Sequence, residues 1–167
     1  MKFATLVVGA VAMYIVTRIL GNTHNDIGIT RQRTIYSLKT VLPITIALII
    51  AAGLFLLLKK PRFSPTEGIG FYVFYILISC PAQELLFRGI LSRMLQELRL
   101  HRALELGVAA ALFGYAHIIY GDMLTVVVMS VVGLFWYRVY QRSSNLIGVT
   151  ISHVVLGVMT ITLGIID

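Results

Sequence analysis

Apolar positions along the chain gather into six long runs with short polar breaks: residues 3–20, 40–58, 68–98, 103–120, 123–140 and 146–166. Most are near the ~20 residues that a helix needs to cross ~30 Å of hydrocarbon. The third is longer and mixed, apolar as far as Ala82 and amphipathic beyond. A signal peptide competes for the first run, but no convincing cleavage site follows and Arg18 sits near its end, so a retained span is expected. The breaks are short. GNTHNDIGITRQRTIYSLK (21–39) is the longest polar segment, KKPRFSPTE (59–67) is a loop broken by prolines, and 121–122 and 142–145 are tight turns. This pattern predicts an all-α fold, a polytopic transmembrane bundle of about six spans.

Composition agrees. Of 167 residues, 58% are hydrophobic and 13% charged, with a mean hydropathy of +0.90. Soluble domains carry roughly 45–50% apolar and about 25% charged residues. A soluble globule, a disordered chain, a collagen-like repeat and a nucleic-acid-binding domain are all excluded. The net charge of +7 comes from basic residues at the ends of apolar runs, where they meet headgroups and set orientation. Arg31, Arg33 and Lys39 follow run one, Arg99 and Arg102 run three, and Arg138 and Arg142 run five. By the positive-inside rule these three connections are cytoplasmic and both termini lie outside, with Asp122 and Asp167 on the far side. Lys59, Lys60 and Arg62 run against the rule. Cys80, the single cysteine, makes no internal disulfide and reads as a small buried hydrophobe.

An ionisable group at mid-membrane costs ~2.5–3.5 kcal/mol on insertion scales, so each one calls for a reason. The spans hold Gln83, Glu84 and Arg88 in run three, His117 in run four and His153 in run six. Glu84 and His117 are equidistant from the polar turn at 98–102. An antiparallel hairpin closing there would set both ~24 Å above the turn, facing each other. His153, counted from 144, comes out shallower, at ~14 Å. Glu84 and Arg88 are spaced i, i+4 and can neutralise one another as an ion pair. Pro81 removes the hydrogen bond to the carbonyl of Leu77 and predicts a kink just before Gln83. The aromatic group Phe71–Tyr75 reads as lipid-facing or packing.

AQELLFRG (82–89) resembles the EExxxR motif of the CPBP intramembrane glutamic proteases. That family includes type II CAAX prenyl endopeptidases and bacterial abortive-infection and bacteriocin-immunity relatives. FGYAH (113–117) is similar to its FxxxH motif, with Phe113 as the first position. SNLIGVTISH (144–153), following GLFWYRVY, resembles the segment with the last motif histidine. The resemblance spans about residues 68–160. It divides the chain into two N-terminal helices with their loops (1–67) and a CPBP-like protease core (68–167), in a multi-pass protein of a prokaryotic plasma membrane.

The resemblance implies an intramembrane endopeptidase acting on a membrane-anchored or lipidated protein or peptide within the bilayer, with no nucleic-acid partner. Glu84 and His117 would activate water, His153 would stabilise the oxyanion, and Arg88 would hold the carboxylate. Two positions depart from the family. Gln83 stands where the first glutamate is expected, and an amide oxygen accepts a hydrogen bond but no proton near neutral pH. Gly157 stands four residues after His153, where the family has Asn; Asn145, Thr150, Ser152 or backbone is left to supply a donor. Either Glu84 is the base, after a local rotation that the Pro81 kink could provide, or the chain is a catalytically inactive relative, a peptide-binding immunity or scaffold protein. No cofactor is expected. The alternative is a zinc ion on Glu84, His117 and His153, ligand types that suit catalytic zinc although HExxH is absent.

Overall fold

The computed structural model describes residues 2–166; Asp167 lies outside the described residues. Six helices follow the six apolar runs: α1 (Lys2–Ile19), α2 (Thr34–Leu58), α3 (Ile69–Glu97), α4 (Arg102–Tyr115), α5 (Met123–Ser143) and α6 (Leu146–Thr162). α4 continues as a tighter 3-10 stretch over Ala116–Tyr120. α2, α3, α4 with its extension, and α5 are each long and apolar enough to cross a membrane, while α1 and α6 are apolar but shorter. No strand occurs among the described residues. Large side chains such as Val8, Ile19, Leu57, Ile69 and Leu77 point outward, as lipid-facing positions do when acyl chains replace water. The protein is a helical bundle embedded in a membrane.

Successive connections fall at alternate ends. At one end the segment before α2 meets the α5–α6 turn, where Asn145 Nδ2 donates to the carbonyls of Thr30 and Gln32, both at 2.8 Å. The α3 residue Arg93 reaches Asn22 Oδ1 at 2.6 Å on that side. The basic clusters after runs one, three and five therefore share one end of the bundle. At the opposite end, the backbone N–H groups of Arg62 and Phe63 donate to the Gly164 carbonyl. Arg62, which ran against the charge rule, is paired there with Asp122 at 2.7 Å.

Helices approach closely where side chains are small. A Cβ on Gly114 would collide with Ser130 Oγ of α5, and one on Gly148 with Ser37 Oγ of α2. Small residues at such crossings let backbones pack without the hydrophobic drive available in water. The core so formed centres on Phe113, Val132, Trp136, Val139, Tyr140, Val149 and Leu156.

Two irregularities set the site. The first is in α3, where Pro81 has no N–H to give. No sharp break follows. The helix instead widens into π turns on each side of Cys80–Glu84, with Cys80 N–H bonded to Tyr75 O and Leu91 N–H to Leu86 O. Each wide turn inserts a residue and shifts the register of faces along the helix, a device found often at functional sites. The second is the start of α6. Ser143 and Asn145 are buried, and Leu146 N–H bonds the Gly28 carbonyl of the covering segment, so α6 begins inside the bundle rather than at its rim.

The Arg62–Asp122 clasp gives a pH signature. Asp122 also caps α5, accepting from the Thr125 N–H at 3.0 Å and from the Thr125 hydroxyl. Arg62 first, then Thr125, hold its carboxyl down at about 2. A carboxyl depressed on folding stabilises above its ordinary value and loses that contribution as pH falls toward the folded one. Hydrogen-exchange protection at the amides of Arg62 and Phe63 is therefore expected to decline between about pH 4 and pH 2. Asp122→Asn should show the low protection already at pH 6; unaltered protection in that variant would mean the clasp does not secure the loop.

Candidate active site

Neighbouring helical residues point ~100° apart, and Gln83 and Glu84 meet different surroundings. Gln83 lines a cavity of about 530 Å³ bounded by α2 and the loop after it, α3, the 3-10 extension of α4, α5 and α6. Its Nε2 donates to Ser79 Oγ one turn back, at 3.1 Å. Glu84 is enclosed, at 0% exposure, and is not part of the cavity wall. The wide turns on each side of Pro81 leave Gln83, and not Glu84, on the cavity wall.

The Glu84 carboxylate has two partners. Its Oε1 accepts from His153 Nδ1 at 2.7 Å and lies 3.1 Å from Arg88 Nη1. The latter is ion-pair contact without hydrogen-bond alignment: Arg88 Nη1 and Nη2, and Glu84 Oε2, have no hydrogen-bond partner among the described residues. Part of what Arg88 lacks comes from π faces, since its guanidinium carbon stands 3.9 Å from the Phe113 centroid and 5.3 Å from that of Trp136. The expected i, i+4 pair thus forms, fully buried. The expected facing of Glu84 and His117 does not. Glu84 meets His153, placed too shallow by counting residues from 144, because α6 starts within the bundle.

His117 sits on the 3-10 extension of α4, with Nδ1 2.8 Å from the Phe113 carbonyl. A carbonyl only accepts, so Nδ1 carries the proton and Nε2 of the neutral ring keeps its lone pair. The same reasoning applies to His153 against an ionised Glu84. Both rings line the cavity. His153 stacks on Trp136 at 4.7 Å, and Phe113 stands edge-on to His117 at 5.0 Å and to His153 at 5.9 Å. Phe113 therefore holds one imidazole by its carbonyl, both by its ring, and Arg88 by its face.

Asn145 is elsewhere. It caps α6 through Ile147 N–H and ties down the segment before α2, which leaves it no part in the cavity. Ser152 is likewise committed, to Thr45 Oγ1 at 2.7 Å and to the Trp136 indole at 2.9 Å. Among the described residues no three His, Cys, Asp or Glu side chains are gathered as metal ligands would be. The alternative zinc set is not assembled: Glu84 faces one imidazole and a guanidinium, and the other imidazole is turned by a carbonyl.

Tyr75 and Trp136 were not singled out from the sequence as site residues, yet both line the cavity, as does Phe71. The available signal is the four-residue spacing of Tyr75, Ser79 and Gln83, a polar-tipped stripe along an apolar helix. Cavity residues also come from outside the motifs, in Leu48, Ala51, Ala52 and Phe55 of α2 and in Arg62 and Glu67 of the following loop.

A family model, type II CAAX prenyl endopeptidase Rce1-like, matches residues 64–159. No curated protein and no solved structure matches significantly. The matched stretch contains AQELLFRG, FGYAH and SNLIGVTISH, and the fold brings the acidic residue of the first and the histidines of the other two around one aromatic cluster. With more than half of its length matched, this integral membrane protein belongs to the type II CAAX prenyl endopeptidase Rce1-like family of proteases.

Proposed function

We propose that the protein hydrolyses a peptide bond in a lipid-modified, membrane-anchored protein or peptide, and that His153, backed by Glu84, is the group that takes the proton from water. One observation carries this reading. Two imidazoles, each fixed through Nδ1 by a bond of 2.7–2.8 Å, line a largely apolar cavity within the membrane bundle. Neutral rings held in this way turn basic Nε2 atoms away from their anchors. Water attacks the carbonyl carbon, its proton passes to His153 Nε2, and the carbonyl electron pair moves to oxygen. The pair on the oxyanion then re-forms the carbonyl and the C–N bond breaks, its electrons leaving with the amine as His153 returns the proton to that nitrogen. Glu84 stabilises the imidazolium between these steps without touching the substrate, His117 Nε2 accepts a hydrogen bond from the second water hydrogen, which stays on its oxygen, and Arg88 steadies the carboxylate. Apolar walls suit a lipid chain, and the family relationship points to a prenyl group on the substrate.

The test is cleavage of a prenylated peptide, with a fluorophore and quencher across the bond, by protein in liposomes. Cleavage lost in His117→Ala and His153→Ala, with both variants folded, supports the reading. Gln83 commits its Nε2 to Ser79, and its side-chain oxygen on the cavity wall accepts a hydrogen bond from the attacking water. Gln83→Ala is therefore expected to slow turnover about tenfold, the scale of one neutral hydrogen bond. No cofactor enters the reaction, so turnover is expected to survive exhaustive dialysis against chelators; loss that zinc restores would contradict it.

A second reading, a peptide-binding relative without activity, draws on Gln83, a carboxamide on the cavity wall. Binding of the same peptide without cleavage by wild type, together with cleavage by Gln83→Glu, would favour it.

A further inference from the structure

Hydrolysis of an amide needs a hydrogen-bond donor for the oxygen that becomes negative, and most polar groups around the imidazoles are committed elsewhere. Both histidines have their Nδ1–H engaged. Gln83 donates to Ser79, the Trp136 indole to Ser152, and Arg88 is enclosed behind aromatic faces. Tyr75 stands apart. It lies in the first wide turn of α3, 8% exposed, and lines the cavity with Gln83, His117 and His153.

Its hydroxyl is placed by an absence on the opposing helix. Gly157 follows His153 by one turn and so shares its face. A Cβ there would collide with the Tyr75 hydroxyl and come within 2.7 Å of the ring carbon bearing it. The phenol tip thus fills the notch beside His153, where any other residue would put a side chain. The ring stands edge-on to His153, 6.1 Å between centroids and 80° between planes, and Phe71 stacks on it at 5.8 Å. The hydroxyl has the thiol of Cys80 as its partner, a weak acceptor that a carbonyl oxygen gaining charge outcompetes.

Building on the hydrolase reading above, we propose that Tyr75 is a catalytic residue whose hydroxyl donates a hydrogen bond to the carbonyl oxygen of the scissile bond as that oxygen becomes negative. The proton stays on the phenol throughout. A donor set in place beforehand in a dry site acts most strongly where charge develops, so its contribution appears in kcat rather than in substrate affinity.

Four forms are compared in liposomes with the prenylated peptide: wild type, Tyr75→Phe, Gly157→Ala and Tyr72→Phe. Tyr72 is on the same helix, but its hydroxyl meets Thr162 and does not line the cavity. Tyr75→Phe is expected to lower kcat about 10²–10³-fold, as loss of one oxyanion donor does, with KM within about threefold. It should weaken binding of a phosphinate analogue of the tetrahedral intermediate by a similar factor. A purely structural role would not separate analogue from substrate in this way. Gly157→Ala, which drives the intact phenol out of its notch, should lose at least about tenfold, and Tyr72→Phe should stay within about twofold. Turnover by Tyr75→Phe within about threefold of wild type overturns the assignment and leaves the hydrolase reading standing. Absence of cleavage in wild type removes that reading and this one with it. Should Tyr75→Phe not fold, Gly157→Ala decides: unchanged kcat overturns the assignment.

Discussion

His153→Ala is expected to reduce kcat for a prenylated peptide about 10³-fold, within the usual range for loss of a positioned acid–base group. KM should change little, because the ring makes its main contribution after the peptide is bound. Glu84→Gln should fall between this variant and wild type. The amide oxygen can still accept from His153 Nδ1, which holds the ring in place. What disappears is the negative charge that balances the imidazolium, and a loss of roughly 10–10²-fold is expected from that term alone. The order wild type, Glu84→Gln, His153→Ala is the signature of a carboxylate acting through a histidine. Were Glu84 itself the base, the two variants would be equally impaired; measured rate constants in that order reversed or equal would reject the His153 assignment.

The largest effect on stability is expected from Arg88→Met. Arg88 and Glu84 are 1% and 0% exposed, so removing the cation strands a carboxylate in a low-dielectric interior. Breaking a buried pair from one side typically costs about 3–5 kcal/mol, which for a chain of this size lowers a melting temperature by roughly 10 °C. Removing both charges differs. Glu84→Gln combined with Arg88→Met leaves no unpaired ion, and its melting temperature should recover most of what Arg88→Met loses. A double variant as unstable as the sum of its parts would show that the pair contributes packing and not charge balance.

Much of this bundle was legible in advance, since a helix in lipid must be apolar over its crossing length and must satisfy its own backbone. The six apolar runs mark the six helices, and the three basic clusters of runs one, three and five gather at one end. Boundaries shift where lipid gives way to headgroups: α2 starts at Thr34, because Tyr36, Ser37 and Lys39 extend a helix that hydropathy alone begins at residue 40. The candidate site was legible as a group of polar residues within the spans but not as a set of contacts. Depth counted at a constant rise pairs Glu84 with His117. That count assumes every helix starts at the membrane edge and rises evenly. The buried start of α6 and the wide turns of α3 break both assumptions, and they arise from tertiary packing around Asn145 and Pro81 that no periodicity records. Tyr75 reads from the sequence as lipid-facing or packing, and its place on the cavity wall was not legible, because an aromatic residue in an apolar run has the same appearance whether it meets lipid or a cavity.

The family match begins at residue 64, yet four side chains of α2 line the cavity. A fragment trimmed to the matched region would keep every motif residue and lose one side of the chamber. Bilayer tails would then slide in beside Trp136 and His153 and displace the water that hydrolysis consumes. The second helix therefore serves as a hull plate, keeping oil out of the compartment beside Trp136 and His153.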